Sequence, residues 1–162
     1  MKHKIYVNRE KPNLGYEKAY ITVKKAVRAA LEAENLTESC TVCVLLTDDA
    51  GIREINRGQR DIDAATDVLS FPMNEFEEGR PDLADAERWE DGSVYLGDMV
   101  LSLERADRQG EEYGHGFKHE LSYLAVHSVM HLLGYDHLDE GPRKKRMRER
   151  EKAAMALLEE KL

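Results

Sequence analysis

The spacing of apolar positions along the chain predicts alternating strands and helices. Short runs rich in β-branched and aromatic residues predict four strands, over residues 3–8, 40–47, 66–73 and 94–104. The fourth of these segments begins as a strand and runs into a helix. Apolar residues at helical spacing predict two long helices, over residues 14–34 and 115–133. A helix is predicted over residues 49–59, with Thr47 or Asp48 as its N-terminal cap. Pro142 is expected to begin a last helix that extends to about Leu162.

These elements indicate the α+β class. Strands lie mostly in the first half of the chain and helices are concentrated towards its end, which predicts a small mixed sheet of about four strands packed with helices. No internal repeat and no long linker divides the 162 residues, so we expect one domain over residues 1–162. A chain of this length can bury a hydrophobic core of its own.

Composition narrows the class of protein. Hydrophobic residues make up 41% of the chain and charged residues 35%, and no apolar run is long enough to span a bilayer, so we expect no membrane partner. The first residues lack the apolar stretch of a secretory signal, and two cysteines cannot form a disulfide framework, which favours a cytoplasmic protein. Cys40 and Cys43 would point to opposite faces of a strand, so we interpret both as core residues rather than metal ligands.

Opposite charges are segregated along the chain, whose net charge is −8. Residues 75–91 contain eight acids and two arginines, in what we expect to be a long, mobile loop. Residues 143–152 contain seven bases and two acids on the last predicted helix. Such a basic face can bind phosphate groups, or it can be only the solvated face of a helix, and both interpretations remain open.

Three of the six histidines occur within the stretch HSVMHLLGYDH, residues 127–137. His127 and His131 are four residues apart on a predicted helix and therefore lie on one face, about one turn apart. Gly134 is a natural stop for this helix, after which the chain can turn back and present His137 to the same point. Three imidazoles that leave one position open are typical of a catalytic zinc ion, which lowers the pKa of its water to about 7. The sequence therefore predicts a metal site, with Zn²⁺ as the expected ion and Ni²⁺ as another that suits imidazole.

Other polar residues near this stretch carry a weaker signal. His115 and His119 repeat the four-residue spacing, but no third histidine follows a turn, which favours a position on the helix surface or at its cap. Asp136 adjoins His137 and could orient a metal ligand, but we favour an exposed aspartate in a turn.

The histidine spacing H-x-x-x-H-x-x-G-x-x-H also occurs in the metzincin proteases, in which a glutamate follows the first histidine and acts as general base. Here that position is Ser128, which cannot act as a base at neutral pH. Met147, the nearest candidate for the methionine turn of those proteases, lies in the charged helical stretch RKKRMRER. A metallopeptidase is therefore the weaker alternative.

Three segments of the chain resemble the YbeY family of bacterial endoribonucleases. NRGQRDIDAATDVLSFP, residues 56–72, resembles the arginine-containing stretch of that family, and YLGDMVLS, residues 95–102, resembles its L-G-D strand. The histidine segment ends in L-G-Y-D-H, as the family's does. The combination is highly specific, since no unrelated metal site is expected to share all three segments.

The resemblance implies zinc-dependent cleavage of single-stranded RNA in the cytosol, during maturation of the 3′ end of 16S rRNA and thus in ribosome biogenesis. The small ribosomal subunit or its assembly factors would be partners. His127, His131 and His137 would be the metal ligands. Arg60 would be a catalytic or phosphate-binding residue, a role that suits a guanidinium, although an arginine before a strand is otherwise usually only solvated.

The same interpretation gives the basic residues a role. The basic residues within Arg143–Arg150, together with Arg53 and Arg57, would attract the RNA backbone. The metal would either activate water or polarise the scissile phosphate. A binding factor for ribosome assembly, in which the metal is structural, remains an alternative from another class.

Three positions depart from the family's pattern. Ser128 stands where glycine is usual after the first histidine, Gln59 where tyrosine is usual before the arginine, and Ala65 where proline is usual before Thr66. None of the three departures removes a ligand. We expect Ser128 to lie near the metal and alter access to it, and Ala65 to loosen the approach of Arg60.

Overall fold

A computed structural model of the chain describes residues 2–77, 82–136 and 140–160. Within these ranges the predicted α+β class and a mixed sheet of four strands are confirmed. The elements follow in the order β1 (Lys4–Arg9), α1 (Ala19–Ala33), β2 (Cys40–Thr47), α2 (Asp49–Arg60), β3 (Val68–Pro72), β4 (Val94–Ser102), α3 (Leu103–Glu112), α4 (Gly116–Leu132) and α5 (Pro142–Glu160). No helix in the described ranges has the length and apolar character that crossing a bilayer requires.

The sheet has the strand order β1-β2-β4-β3, with β2 and β4 in its middle. β1, β2 and β4 run parallel, and β3 runs antiparallel to β4. The two middle strands are largely buried, as their nearly continuous apolar sequences predict. The main core packs helices α1, α4 and α5 against one face, and a smaller cluster of Ile52, Leu69 and Val100 joins α2 to the other.

Helix α4 is the most enclosed helix of the described fold. It packs against α1, α3 and α5 and against strands β3 and β4. One row along it stays open to solvent, because residues spaced by four lie above one another on a helix. This open row of α4 consists of His119, Tyr123, His127 and His131. The fold therefore places both predicted ligands of the described part of the chain on the open side of a buried helix.

Two predicted boundaries are wrong. Helix α1 begins at Ala19 rather than near Leu14, because Gly15 and Tyr16 adopt φ values of 75° and 50°, which a right-handed helix cannot contain. The guanidinium of Arg9 donates to the carbonyl oxygens of both residues and holds this turn. The strand predicted over residues 66–73 is confined to Val68–Pro72.

The acidic segment is held against the sheet in its described part, residues 82–91, rather than forming the free loop that its composition predicts. Arg88 donates to the carbonyl oxygen of Leu83 at 2.8 Å and to the carboxylate of Glu38 at 2.7 Å. The ring of Trp89 stacks on Tyr6 of β1, with centroids 5.6 Å apart. These contacts anchor the segment to the β1 edge.

The two cysteines differ in environment. Cys40 is fully buried in the main core, as predicted, and burial raises the pKa of its thiol to about 12. Cys43 is only half-buried and lines a cavity of about 560 Å³ between the sheet and α2, so its assignment to the core is wrong. Burial also raises the pKa of the Cys43 thiol.

Candidate active site

His127 and His131 lie side by side on the open row of α4. Their Nε2 atoms are 3.2 Å apart, and their rings are nearly perpendicular at 88°. The prediction that both side chains occupy one helix face is confirmed. His137, the third predicted ligand, falls within residues 137–139 and lies outside the described residues.

The spacing of the two imidazoles suits a tetrahedral metal ion. Two nitrogen ligands, each 2.0–2.1 Å from a tetrahedral zinc ion, are about 3.3 Å apart. The Nε2 atoms of His127 and His131 are separated by nearly this distance. Among the residues that the structure describes, no set of three histidine, cysteine or acidic side chains is grouped closely enough to hold a metal. A complete ligand set therefore needs a residue beyond the described ranges, and metal binding stays a prediction.

Glu151 of α5 orients His127. Its Oε2 lies 2.5 Å from Nδ1 of His127, and its Oε1 accepts a hydrogen bond from the hydroxyl of Tyr123 at 3.0 Å. A carboxylate at Nδ1 keeps the proton on that nitrogen and leaves the lone pair on Nε2, which faces His131. Burial, followed by the charge of Glu151, raises the pKa of Tyr123, so its hydroxyl stays protonated and donates.

Glu151 was not among the predicted site residues, although the sequence contains a signal for it. It lies on the apolar stripe of α5, where the other buried residues are Met147, Ala154 and Leu158. An acid on such a stripe must find a partner when the helix packs, because an unpaired buried carboxylate is costly. Met147 itself is buried in the middle of α5 and forms no turn, as the sequence predicts.

Gly134 ends the histidine helix in the way that its position predicts. Its φ is 94°, its N–H donates to the carbonyl oxygen of His131, and the N–H of Tyr135 donates to that of Met130. This paired closure satisfies two carbonyls of the last helical turn. A Cβ at position 134 would lie 2.3 Å from the carbonyl oxygen of Phe76. Glycine thus fixes the last turn of α4, in which His131 lies.

The two histidines open into a cleft of about 730 Å³. Arg60, the exposed last residue of α2, lines the same cleft, so the structure brings this predicted residue to the histidines. Arg60 makes no hydrogen bond or ion pair with the other described residues, and its guanidinium is available to an anion in the cleft. Further polar residues of the lining are Thr66, Asp67, Ser70, Asn74, Glu75 and Asp136.

The chain after α2 is folded back so that Arg60 faces this cleft. Asp61 adopts a left-handed φ of 58° and ends the helix. The buried Asn56 donates its side-chain N–H to the carbonyl oxygen of Ala64 at 2.9 Å. Asp48 is the cap of α2, since its carboxylate accepts from the N–H of Gly51. That Ala65 loosens the approach of Arg60 stays a prediction.

The second histidine pair is linked to the cleft by a chain of hydrogen bonds. Nε2 of His115 lies 2.9 Å from the buried carboxylate of Glu120, which also accepts from Gln109. Gln109 in turn donates to the cleft residue Asp67 at 3.3 Å. His119 is exposed on the surface of α4 and His115 is exposed at its N-cap position, which confirms the predicted placement on the helix surface or at its cap.

Two residues near the site are placed differently from the predictions. Ser128 is fully buried and its Oγ lies 2.6 Å from Oγ of Ser70 on β3, so the prediction that it alters access to the metal is wrong. The reason is the helical rotation of about 100° between neighbouring residues. Asp136 is half-buried, lines the cleft and pairs with Arg143 at 3.3 Å, so its interpretation as an exposed aspartate is also wrong.

Comparisons with known proteins identify the family to which this α+β fold belongs. A family model described as endoribonuclease YbeY matches residues 4–159. A relative of that name from Clostridium acetobutylicum is 45% identical over 157 residues, which cover 91% of this chain and 94% of the relative. Another, from Caldanaerobacter subterraneus subsp. tengcongensis, is 49% identical over 137 residues, which cover 84% and 85%. These matches define the class of the protein as an α+β hydrolase. The chain belongs to the endoribonuclease YbeY family.

A solved structure supports the fold independently. The solution structure of a Thermotoga maritima protein matches with a TM-score of 0.62, over 95% of this chain and 88% of the other. The two sequences are 24% identical, so this likeness concerns the fold alone.

Proposed function

We propose that this protein is a metal-dependent endoribonuclease that cleaves single-stranded RNA. The observation that carries the proposal is the convergence of two imidazole Nε2 atoms, 3.2 Å apart, in a cleft that Arg60 also lines. Membership of the endoribonuclease YbeY family supports the RNA substrate. We further propose, from the family resemblance, a role in 16S rRNA 3′-end maturation and ribosome biogenesis in the cytoplasm, with the small ribosomal subunit or its assembly factors as partners.

The histidines would hold the metal, with Zn²⁺ as the proposed ion. His127 and His131 offer two nitrogens at a fitting distance, and we assign the third position to His137. Bound zinc supplies Lewis acidity, which polarises a phosphoryl oxygen or acidifies a water molecule at neutral pH. Glu151 holds the imidazole of His127 in one tautomer and one orientation.

Arg60 would bind the scissile phosphate. Its guanidinium can donate two parallel hydrogen bonds to a phosphate and stabilise negative charge that develops during cleavage. The acidic cleft residues Asp67, Glu75 and Asp136 would repel an RNA backbone that has no compensating cation. The described cleft lining contains one arginine or lysine, Arg60, which therefore carries the attraction for phosphate.

The first test compares the native protein with His131→Ala for zinc content and for cleavage of labelled single-stranded RNA. We expect the native protein to bind zinc and to cleave, and the variant to lose both, because one imidazole of the ligand set is gone. His119→Ala is the matched control, since it removes an exposed histidine from the same row of α4. Arg60→Ala should keep the zinc but lose about 10²–10³-fold in cleavage rate.

Each other outcome has a definite meaning. Equal cleavage by native protein and His131→Ala would trace the activity to a contaminant and contradict the proposal. Zinc binding without any cleavage would favour an RNA-binding assembly factor with a structural metal. Hydrolysis of casein that His131→Ala abolishes would favour the metallopeptidase.

A further inference from the structure

We propose that a row of three basic residues on α5 is the surface along which a single RNA strand leaves the active-site cleft. The α5 basic row consists of Lys144, Arg148 and Lys152. The inference rests on the proposed function, because it takes RNA as the substrate. It adds which of the many basic residues of the chain contact the RNA and which do not.

Helical geometry aligns the α5 basic row. Its members are four residues apart, so they lie on one flank of the helix with an axial rise of about 6 Å between neighbours. They line a groove of about 370 Å³, in which the four basic residues, with Lys145, outnumber the two acids Glu140 and Glu149. A surface with positive charges at regular intervals suits a polyanion whose charges also repeat regularly.

The row lies next to the histidine site. Glu151, which orients His127, is the residue before Lys152 and lies one turn after Arg148. The charge of Arg148 also acts on the hydroxyl of Tyr123, which donates to Glu151. A strand bound along the row would therefore lie within one helical turn of the residue that orients His127.

Several basic residues elsewhere are already engaged by acids. Among the residues that were predicted to attract RNA, Arg53 pairs with Asp63 at 2.8 Å and Arg57 with Glu54 at 2.6 Å. The other flank of α5 is engaged in the same way, since Arg150 pairs with Glu34 at 2.7 Å. In each pair a carboxylate beside the arginine reduces the net positive charge that a phosphate would meet.

The α5 basic row keeps its charge. Arg148 and Lys152 are exposed and make no hydrogen bond or ion pair within the described ranges. Lys144 pairs with Glu140 at 2.9 Å, so Arg148 and Lys152 carry most of the free charge of the row. Among the described residues that line the groove, none is aromatic or a large apolar residue on which a nucleobase could stack. The row would therefore hold phosphates regardless of RNA sequence.

The test measures binding of a fluorescein-labelled uridine oligonucleotide by fluorescence anisotropy over a series of salt concentrations. Arg148→Ala/Lys152→Ala is compared with the native protein. The matched control is Lys24→Ala/Arg28→Ala, which removes one lysine and one arginine at the same spacing from α1. All four substituted residues lie on helix surfaces, so the variants should fold, which thermal unfolding will verify.

We expect the double variant to bind several-fold more weakly at low salt. The slope of its log affinity against log salt concentration should be smaller in magnitude by about 1.4. That value corresponds to two lost phosphate contacts at about 0.7 each for single strands. The control should bind like the native protein. A short oligonucleotide that occupies only the cleft should be cleaved by the control at the rate of the native protein.

The outcomes separate this proposal from the proposed function. An unchanged salt slope in the Arg148/Lys152 variant, with native cleavage intact, overturns the α5 basic row and leaves the endoribonuclease standing. Equal losses in the variant and the control also overturn it, because net charge alone then explains the binding. A metal-loaded native protein that neither binds nor cleaves RNA overturns the proposed function and this inference together.

Discussion

Glu151 lies in the most basic stretch of the chain, residues 143–152. Its carboxylate is nevertheless buried and is directed at His127 rather than at a neighbouring lysine or arginine. The residue is 4% exposed and binds both the imidazole of His127 and the hydroxyl of Tyr123. Where a histidine binds a metal, a buried carboxylate at its other nitrogen fixes the orientation of the ring. At the scale of the residue, the site thus depends on a side chain from a different helix.

Glu151→Gln tests this role. The amide keeps the size of the side chain but removes its charge, so the imidazole of His127 is held less firmly and is a weaker ligand. We expect zinc affinity to fall by about 10–100-fold, measured by competition with a coloured chelator. Glu149→Gln is the control on the exposed side of the same helix. Equal zinc affinity in the two variants would contradict the role of Glu151.

At the scale of the element, the C-terminal end of α4 helps to position the site, as does the part of the helix that carries the histidines. Position 134 requires a left-handed backbone and has no room for a side chain, since the Phe76 carbonyl lies where a Cβ would be. The segment after the helix continues into the cleft, where Tyr135 and Asp136 line the wall. A change at position 134 therefore affects stability and the cleft together.

Gly134→Ala should lower the free energy of unfolding by at least about 1–2 kcal/mol, from the left-handed backbone alone, with the close contact adding to the loss. Chemical denaturation measures the change. Gly58→Ala is an informative control of opposite sign. Gly58 lies within α2 with open space where a Cβ would be, so alanine there should stabilise by about 0.5–1 kcal/mol. An unchanged stability in Gly134→Ala would show that the helix end can rearrange.

At the scale of the whole molecule, the candidate metal site lies outside the hydrophobic core. His127 and His131 are half-buried at the edge of a cleft, while the core packs the sheet against helices α1, α4 and α5. Small metal-dependent domains fold only with their ion because they lack such a core. This chain has the core without any contribution from the histidines.

Removal of the metal by a chelator should therefore abolish RNA cleavage and leave the fold intact. We expect the far-ultraviolet circular dichroism spectrum to be unchanged and thermal unfolding to stay cooperative, at a lower temperature because a ligand of the native state is lost. Readdition of zinc should restore cleavage. Loss of the cooperative transition on chelation would instead favour a metal with a structural role.

The predictions from sequence succeeded where the physical cause is local. The spacing of four positions from His127 to His131 places both on one face of any helix, and their Nε2 atoms are 3.2 Å apart in the structure. The cap of α2 and the stop at Gly134 also follow from neighbouring residues. By contrast, α1 begins late because Arg9, in a strand before it, holds the turn at Gly15, and apolar spacing contains no information about that contact.

The sequence by itself determined the α+β class, most of the elements and the histidine face, because hydrophobic periodicity and capping act over a few residues. Only the tertiary structure decided that Glu151 orients His127, that Ser128 bonds to Ser70, and that Arg60 reaches the same cleft as the histidines. Glu151 and His127 are 24 residues apart in the sequence, and Ser128 and Ser70 are 58 residues apart. Such contacts depend on how helices α4 and α5 and strand β3 pack, which is set by the whole core rather than by any local pattern.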